Sequence, residues 1–134
     1  MTRYLLDTGI ASDYVHRRHG IFEKAQTEVL RGNRVGIGIP VLGELRGGIE
    51  YSASRDRNLK ELTRAVSKLA LWPFDRSAAE EYGRIYAELK RMGKLIGSID
   101  IQIAAIARTL NCIVVSKDSD LSSVPGLRIE NWAA

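Results

Sequence analysis

Several features that would assign a chain to a specialised class of protein are missing from this sequence. It has 1 cysteine in 134 residues, so no disulfide can form within the chain, and a reducing setting is expected. No apolar run approaches the ~20 residues that span a bilayer, and the N-terminus has no long apolar core of the signal-peptide kind. No repeat or linker rich in proline and glycine divides the chain. We therefore expect a soluble cytoplasmic protein with no membrane partner and a single domain over residues 1–134.

Positive charge is in modest excess. The chain has 20 Lys and Arg against 16 Asp and Glu, which gives a net charge of +4 and a pI of about 9.4. Basic character favours an acidic partner such as nucleic acid. Because many basic proteins bind no nucleic acid, the charge supports this class of partner without establishing it.

Apolar runs typical of strands alternate with segments of helical periodicity. The predicted strands are 3–7, 35–39, 112–116 and 127–130, and the predicted helices are 8–19, 20–31, 40–51, 55–70, 78–92 and 99–110. Ser77 with Glu80 is predicted to cap the helix 78–92, and Ser98 the helix 99–110. Two glycines in the strand 35–39 indicate that another group approaches its backbone closely. This alternation predicts an α/β fold with a mostly parallel central sheet and helices on both faces.

Four acidic residues are the most informative feature of the sequence. Asp7 ends the first apolar run, Asp118 stands just past the strand 112–116, Glu44 follows the strand 35–39 by about one helical turn, and Asp100 opens a helix. Ligands of open α/β sheets bind outside the carboxyl ends of the strands. We therefore expect three of these acids to have access to one cleft.

Carboxylates gathered in one cleft repel each other unless a cation lies among them. A site made of oxygen ligands alone suits Mg²⁺ or Mn²⁺. Each acid also has a structural interpretation: Asp7 as a helix cap, Asp100 as a partner of the helix dipole, Glu44 as a solvated helix residue and Asp118 as a turn residue. Their shared positions at strand ends and helix starts favour a functional site.

The order of the motifs along the chain resembles that of PIN-domain ribonucleases. The motifs are Leu5-Leu6-Asp7-Thr8, Pro40-Val41-Leu42-Gly43-Glu44-Leu45, Gly97-Ser98-Ile99-Asp100 with Ile103-Ala104-Ala105, and Val114-Val115-Ser116-Lys117-Asp118. The closing segment 124–132, Val-Pro-Gly-Leu-Arg-Ile-Glu-Asn-Trp, resembles the tail of the VapC-type bacterial toxins of that family. Each motif is weak alone, but together they span essentially the whole chain in the right order.

The resemblance implies a PIN-like fold and an endoribonuclease that depends on Mg²⁺ or Mn²⁺. It implies catalytic roles for Asp7, Glu44, Asp100 and Asp118, with Asp7, Asp100 and Asp118 as metal ligands. Ser116 falls where the family has a threonine or serine near the metal. Asp120 is an alternative to Asp118 for this role. We favour Asp118, because it follows the strand more directly.

The same resemblance implies the toxic half of a toxin–antitoxin pair, with an RNA substrate, a VapB-like antitoxin and a homodimer. Apolar side chains on the helices 40–51 and 55–70 are predicted to leave a groove for the antitoxin. These side chains are Leu42, Leu45, Ile49, Leu59, Leu62, Val66 and Leu69.

Three other interpretations deserve comparison. Asp7-Thr8-Gly9 is the signature triplet of aspartic proteases, but those enzymes are all-β and this chain is rich in predicted helices. A phosphoacceptor signalling domain has a similar length and a lysine after its last strand, a role open to Lys117, but no adjacent acidic pair ends the first strand. A PIN-like fold used only for binding is disfavoured because all four acids are present.

Overall fold

The structure, a computed structural model, describes residues 1–133. Its centre is a sheet in which every neighbouring pair of strands is parallel, with the order β3-β2-β1-β4-β5. The strands are β1 (Arg3–Leu6), β2 (Arg34–Gly38), β3 (Ala70–Trp72), β4 (Cys112–Val115) and β5 (Arg128–Glu130). The chain moves from β1 outward to β3 on one side and then crosses to β4 and β5 on the other. The order therefore reverses between β1 and β4.

Helices connect the strands and cover the sheet. They are α1 (Thr8–Val15), α2 (Ile21–Leu30), α3 (Ile39–Tyr51), α4 (Arg55–Val66), α5 (Arg76–Arg91) and α6 (Ser98–Leu110), and a 3₁₀ helix (Ser119–Ser123) precedes β5. The helix α1 packs against α2, α3 and α4, whereas α5 packs against α6. Right-handed crossovers place these two groups on opposite faces. The predicted α/β architecture, with a parallel sheet between helices, is confirmed.

The central strands are buried on both faces, which explains why their sequences are continuous apolar runs rather than alternating ones. Leu5, Leu6, Val114 and Val115 are 0% exposed. The expected close approach at β2 is also present: a Cβ on Gly36 would lie 2.4 Å from the carbonyl oxygen of Ala70 in β3. A larger residue at this position would separate the two strands.

Several predicted helix ends were wrong, each for a local reason. The helix predicted over 8–19 ends at Val15, because Arg17 and His19 adopt positive φ angles of 54° and 58°. The helix predicted over 55–70 ends at Val66, because residues 70–72 form the edge strand β3 beside β2.

The predicted helix caps were also wrong. Asp75 caps α5 by accepting a hydrogen bond of 3.0 Å from the Ala78 N–H, in place of Ser77. Gly97 stands at the N-cap of α6, in place of Ser98, and offers no side-chain cap. None of the helices among residues 1–133 has the length and apolar character needed to cross a membrane.

Candidate active site

The four predicted acids line one open cleft of about 510 Å³. Its lining residues are Asp7, Thr8, Gly9, Glu44, Gly97, Ser98, Ile99, Asp100, Lys117 and Asp118. The cleft opens at the carboxyl ends of β1 and β4, where the strand order reverses. This is the position at which open parallel sheets bind ligands. The structure therefore brings all four acids to one cleft, one more than the three expected from the sequence.

Asp7 has both a structural and a chemical role open to it. Its Oδ1 accepts a hydrogen bond of 2.9 Å from the Ile10 N–H and so caps α1. The side chain is nevertheless only 8% exposed. Burial raises the pKa of the carboxyl, while Ser116 and the Ile10 N–H lower it in part. The cap fixes the orientation of a carboxylate that would gain from a cation beside it.

Ser116 and Asp118 belong to the short segment that leaves β4. The Ser116 N–H donates to the Glu130 carbonyl at 3.0 Å and so continues the pairing with β5. Its hydroxyl oxygen accepts a hydrogen bond of 2.9 Å from the Asp118 N–H. Asp118 then caps the 3₁₀ helix by accepting from the Asp120 N–H at 2.9 Å. These three contacts hold the segment in one shape at the edge of the cleft.

Asp100, Asp118 and Asp120 form a close acidic group among the described residues. One carboxylate oxygen of each lies within 4.8 Å of the others. Burial raises the pKa of Asp100 most, and the charges of Asp118, Asp7, Asp120 and Glu44 raise it further. All of these donors are oxygens, and their mutual repulsion is relieved by a cation. The site thus fits Mg²⁺ or Mn²⁺, the ions preferred by hard oxygen ligands.

The structure brings both Asp118 and Asp120 to Asp100, so both remain candidates for the fourth acid. Glu44 reaches the cleft from α3, and the Thr8 hydroxyl donates to its Oε1 at 2.5 Å. This bond joins the start of α1 to α3 and restricts the Glu44 side chain. Thr8, the last residue of the first motif, therefore orients one of the predicted acids.

Sequence reasoning missed Asp13, a buried acid joined to the cleft by Lys117. The Lys117 Nζ and the His19 Nδ1 both lie 3.0 Å from the Asp13 Oδ2. His19 is thus tied to this buried acid. The only sequence signal is an acid in a helix that begins at Asp7, and that signal is too common to be useful.

With this geometry in place, comparison with known proteins identifies the class of protein. The PIN domain family model matches residues 4–127, and the chain belongs to the PIN-domain family.

The relatives are similar over nearly their whole length. The chain is 34% identical to ribonuclease VapC2 of Haemophilus influenzae over 133 residues, which covers 98% of this chain and 99% of the relative. It is 31% identical to the tRNA(fMet)-specific endonuclease VapC of Shigella flexneri over 134 residues, which covers 99% and 100%. A crystal structure of DNA-bound VapBC from Salmonella typhimurium superimposes with a TM-score of 0.89 at 32% identity, covering 98% of this chain and 99% of that one.

These similarities confirm the predicted PIN-like fold and the prediction of a VapC-type PIN-domain ribonuclease. They also favour this interpretation over a phosphoacceptor domain, a binding-only fold and an aspartic protease.

Proposed function

We propose that this chain is the toxin of a VapBC-type toxin–antitoxin pair and cleaves RNA phosphodiester bonds with the help of Mg²⁺ or Mn²⁺. The observation that carries the metal requirement is the acidic group of Asp100, Asp118 and Asp120, with carboxylate oxygens within 4.8 Å of one another. Asp7 and Glu44 line the same cleft. Without a cation, these carboxylates would repel an RNA phosphate.

In this proposal Asp7, Asp100 and Asp118 hold the metal, and Asp120 lies close enough to assist. A divalent ion in such a site stabilises negative charge on the scissile phosphate and lowers the pKa of water. The Ser116 hydroxyl accepts a hydrogen bond from the Asp118 backbone N–H, and the same side chain lies against Asp7. Burial and a hydrogen bond fix Asp7, and a hydrogen bond holds Asp118, so these two acids need little reorganisation when RNA binds.

Glu44 has a separate role in the proposal. Its carboxylate is held by Thr8 rather than grouped with the three closest acids. It can orient a water molecule or accept a proton on the side of the cleft next to α3. A Glu44→Gln variant should therefore lose more RNA cleavage than Mn²⁺ affinity, whereas Asp100→Asn should lose both.

The metal requirement can be tested on a defined RNA. Initiator tRNA is the first substrate to try, because the Shigella flexneri relative is named a tRNA(fMet)-specific endonuclease. Cleavage should stop with EDTA and return when Mg²⁺ or Mn²⁺ is added in excess. Full cleavage in EDTA would remove the metal from the proposal. Metal-dependent cleavage of other RNAs but not of initiator tRNA would remove only this substrate.

The proposed antitoxin needs an apolar surface, and the structure offers one that shares Leu69 with the predicted groove. Leu62 is buried, and Leu42, Leu45, Val66 and Leu69 pack against the core. On α2, Val29 is 50% and Leu30 88% exposed. Both border a groove of about 340 Å³ that also contains Tyr14, Val35 and Leu69. An exposed apolar groove of this kind suits the apolar face of a partner helix.

Partner binding has its own test. We expect the product of the small gene beside this one to co-purify with the chain and to inhibit its RNA cleavage. Leu30→Asp should weaken that complex, whereas Leu95→Asp, at a side chain that is 50% exposed outside the groove, should not. We also propose a homodimer, which light scattering of the isolated chain can test. A neighbour that neither binds nor inhibits would contradict the toxin role, and the nuclease proposal would remain.

A further inference from the structure

Lys117 is a cation at the edge of an acidic cleft. Of the described residues that line the cleft, it is the one with a positive charge. It also precedes Asp118 directly in the chain, so its ammonium group is tethered beside the proposed metal ligands. A tethered group acts at a high effective concentration. A lysine ammonium among the acids would relieve their repulsion as a metal ion does, and would therefore compete with the metal.

The structure shows the Lys117 ammonium engaged elsewhere. Its Nζ lies 3.0 Å from the Oδ2 of Asp13, a residue on α1 that is only 5% exposed. The His19 Nδ1 lies 3.0 Å from the same oxygen. Burial opposes the charged form of Asp13, but the contacts with Lys117 and His19 hold its pKa below the ordinary value. Asp13 is therefore an ionised, well-fixed partner for Lys117.

We propose that Asp13 is a positioning residue that holds the Lys117 ammonium away from Asp7, Asp100 and Asp118 and so keeps this acidic group available to a divalent metal. The inference rests on the metal site of the proposed function. Asp13 itself would touch neither metal nor RNA. Loss of its charge would free Lys117, which lines the same cleft as Asp7, Asp100 and Asp118 and could then approach them.

The decisive measurement is the Kd for Mn²⁺ alone, by titration calorimetry of the full chain without RNA. Loss of a residue that supports a metal site typically weakens metal binding by about 10–100-fold, and we expect Asp13→Asn to fall in this range. In the double variant with Lys117→Met, which keeps the side-chain length and removes the charge, affinity should return close to that of wild type. A merely structural role for Asp13 would not give this rescue.

Glu28 provides a matched control. It is also 5% exposed and also holds cations, with Lys24 and Arg31 each 3.3 Å from its Oε2. It does not line the cleft. Glu28→Gln should therefore destabilise the fold about as much as Asp13→Asn and leave the Mn²⁺ Kd unchanged. If Asp13→Asn does not fold, Asp13→Ser, which is smaller and keeps a hydroxyl for His19, takes its place.

Three results would overturn the proposal: an unchanged Mn²⁺ Kd in Asp13→Asn, a weakened Kd that Lys117→Met does not restore, or an equal weakening in Glu28→Gln. If wild type binds no Mn²⁺, the proposed function fails instead. In that event a crystal structure of metal-free Asp13→Asn still decides the inference. The Lys117 ammonium among Asp7, Asp100 and Asp118 would support it, and an ammonium directed elsewhere would contradict it.

Discussion

The two ends of α6 differ in whether the acidic side chains around them are paired with a base. At its start, Asp100 faces other acids, and burial together with their charges raises its pKa. Near its end, the Arg108 guanidinium lies 2.6 Å from the Glu81 Oε1 and 3.0 Å from the Glu88 Oε1, and both acids are on α5. Hydrogen bonding with Arg108 lowers the pKa of Glu88, although burial opposes this. One helix thus presents an acid among other acids to the cleft and a base paired with two acids to the neighbouring helix.

This contrast separates residues that stabilise the fold from residues that the fold must hold in place. The Arg108 network joins α5 to α6 with opposite charges in contact, so it should contribute to stability at neutral pH. The acids of the cleft oppose folding until a cation arrives, and neighbouring packing and hydrogen bonds keep them together. Substitutions at the two ends of α6 should therefore have opposite consequences for activity and stability.

The largest expected effect is on catalysis. Asp100→Asn should lower RNA cleavage by at least ~100-fold, because fixed electrostatic groups in active sites are commonly worth about 10²–10³-fold in kcat. Cleavage of initiator tRNA with Mn²⁺, read on gels, measures this, and circular dichroism checks the fold. Glu80→Gln, at an exposed acid on α5 paired with Arg76 at 3.4 Å, is the control and should keep full activity. Wild-type activity in Asp100→Asn would show that the site is misassigned.

The second prediction concerns the paired end. Arg108→Met leaves Glu81 and Glu88 without their shared cation, and breaking a partly buried network of this kind should cost about 3 kcal/mol of unfolding free energy. Urea denaturation measures the loss. The double variant with Glu88→Gln should be less destabilised than the sum of the single variants, since both changes affect one network. Strict additivity would mean that the network contributes little.

Metal should distinguish the two ends further. A ligand that binds the folded state alone adds about 2.7 kcal/mol at 100 times its Kd. Mn²⁺ should therefore raise the Tm of wild type and of Arg108→Met by similar amounts, because Arg108 is remote from the cleft. It should scarcely raise the Tm of Asp7→Asn. Equal shifts in all three proteins would indicate that Mn²⁺ binds outside the acidic cleft.

The convergence of the acids could be predicted from the sequence, because where each acid falls relative to the end of a strand is visible in the local sequence. Asp7 directly follows β1 and Asp118 lies three residues past the end of β4, and parallel strands end at one edge of a sheet. The contacts between distant side chains had no such signal. Lys117 meets Asp13 across 104 positions, and Arg108 meets Glu88 across 20. Each depends on how two helices or a helix and a loop are packed, which periodicity does not report.

The errors in element ends have a similar origin. The positive φ at Arg17 is uncommon for a residue other than glycine, and the arginine side chain packs over Phe22, with its guanidinium carbon 3.8 Å from the ring centre. That stabilising contact is tertiary. The strand β3 has only three residues and is defined by its pairing with β2. The helical periodicity of the local sequence hides both features, so neither could be predicted from that sequence.

The smallest expected effect is a difference in pH dependence between paired and unpaired acids, measured in EDTA. Glu28 resembles Glu88: burial opposes its charge, but Asn33 and Lys24 lower its pKa from the ordinary 4.5. Its contribution to stability is present above 4.5 and is lost as the pH falls through its lower folded value. Asp100 has the opposite sign, because its folded pKa lies above 3.8. Its charge opposes folding at neutral pH, and this cost disappears as the pH falls through the raised value.

The stabilities of two variants should therefore approach the stability of wild type from opposite sides as the pH is lowered from 7 to 3. At pH 7, Glu28→Gln should be less stable than wild type and Asp100→Asn more stable. Both differences should shrink on acidification: that of Glu28→Gln as the pH falls from 4.5 through the lowered folded pKa of Glu28, and that of Asp100→Asn as the pH falls through the raised folded pKa of Asp100 toward 3.8. Thermal unfolding across this range measures both differences. An Asp100→Asn protein that is less stable than wild type at pH 7 without metal would contradict the view that the cleft acids are held against their own repulsion.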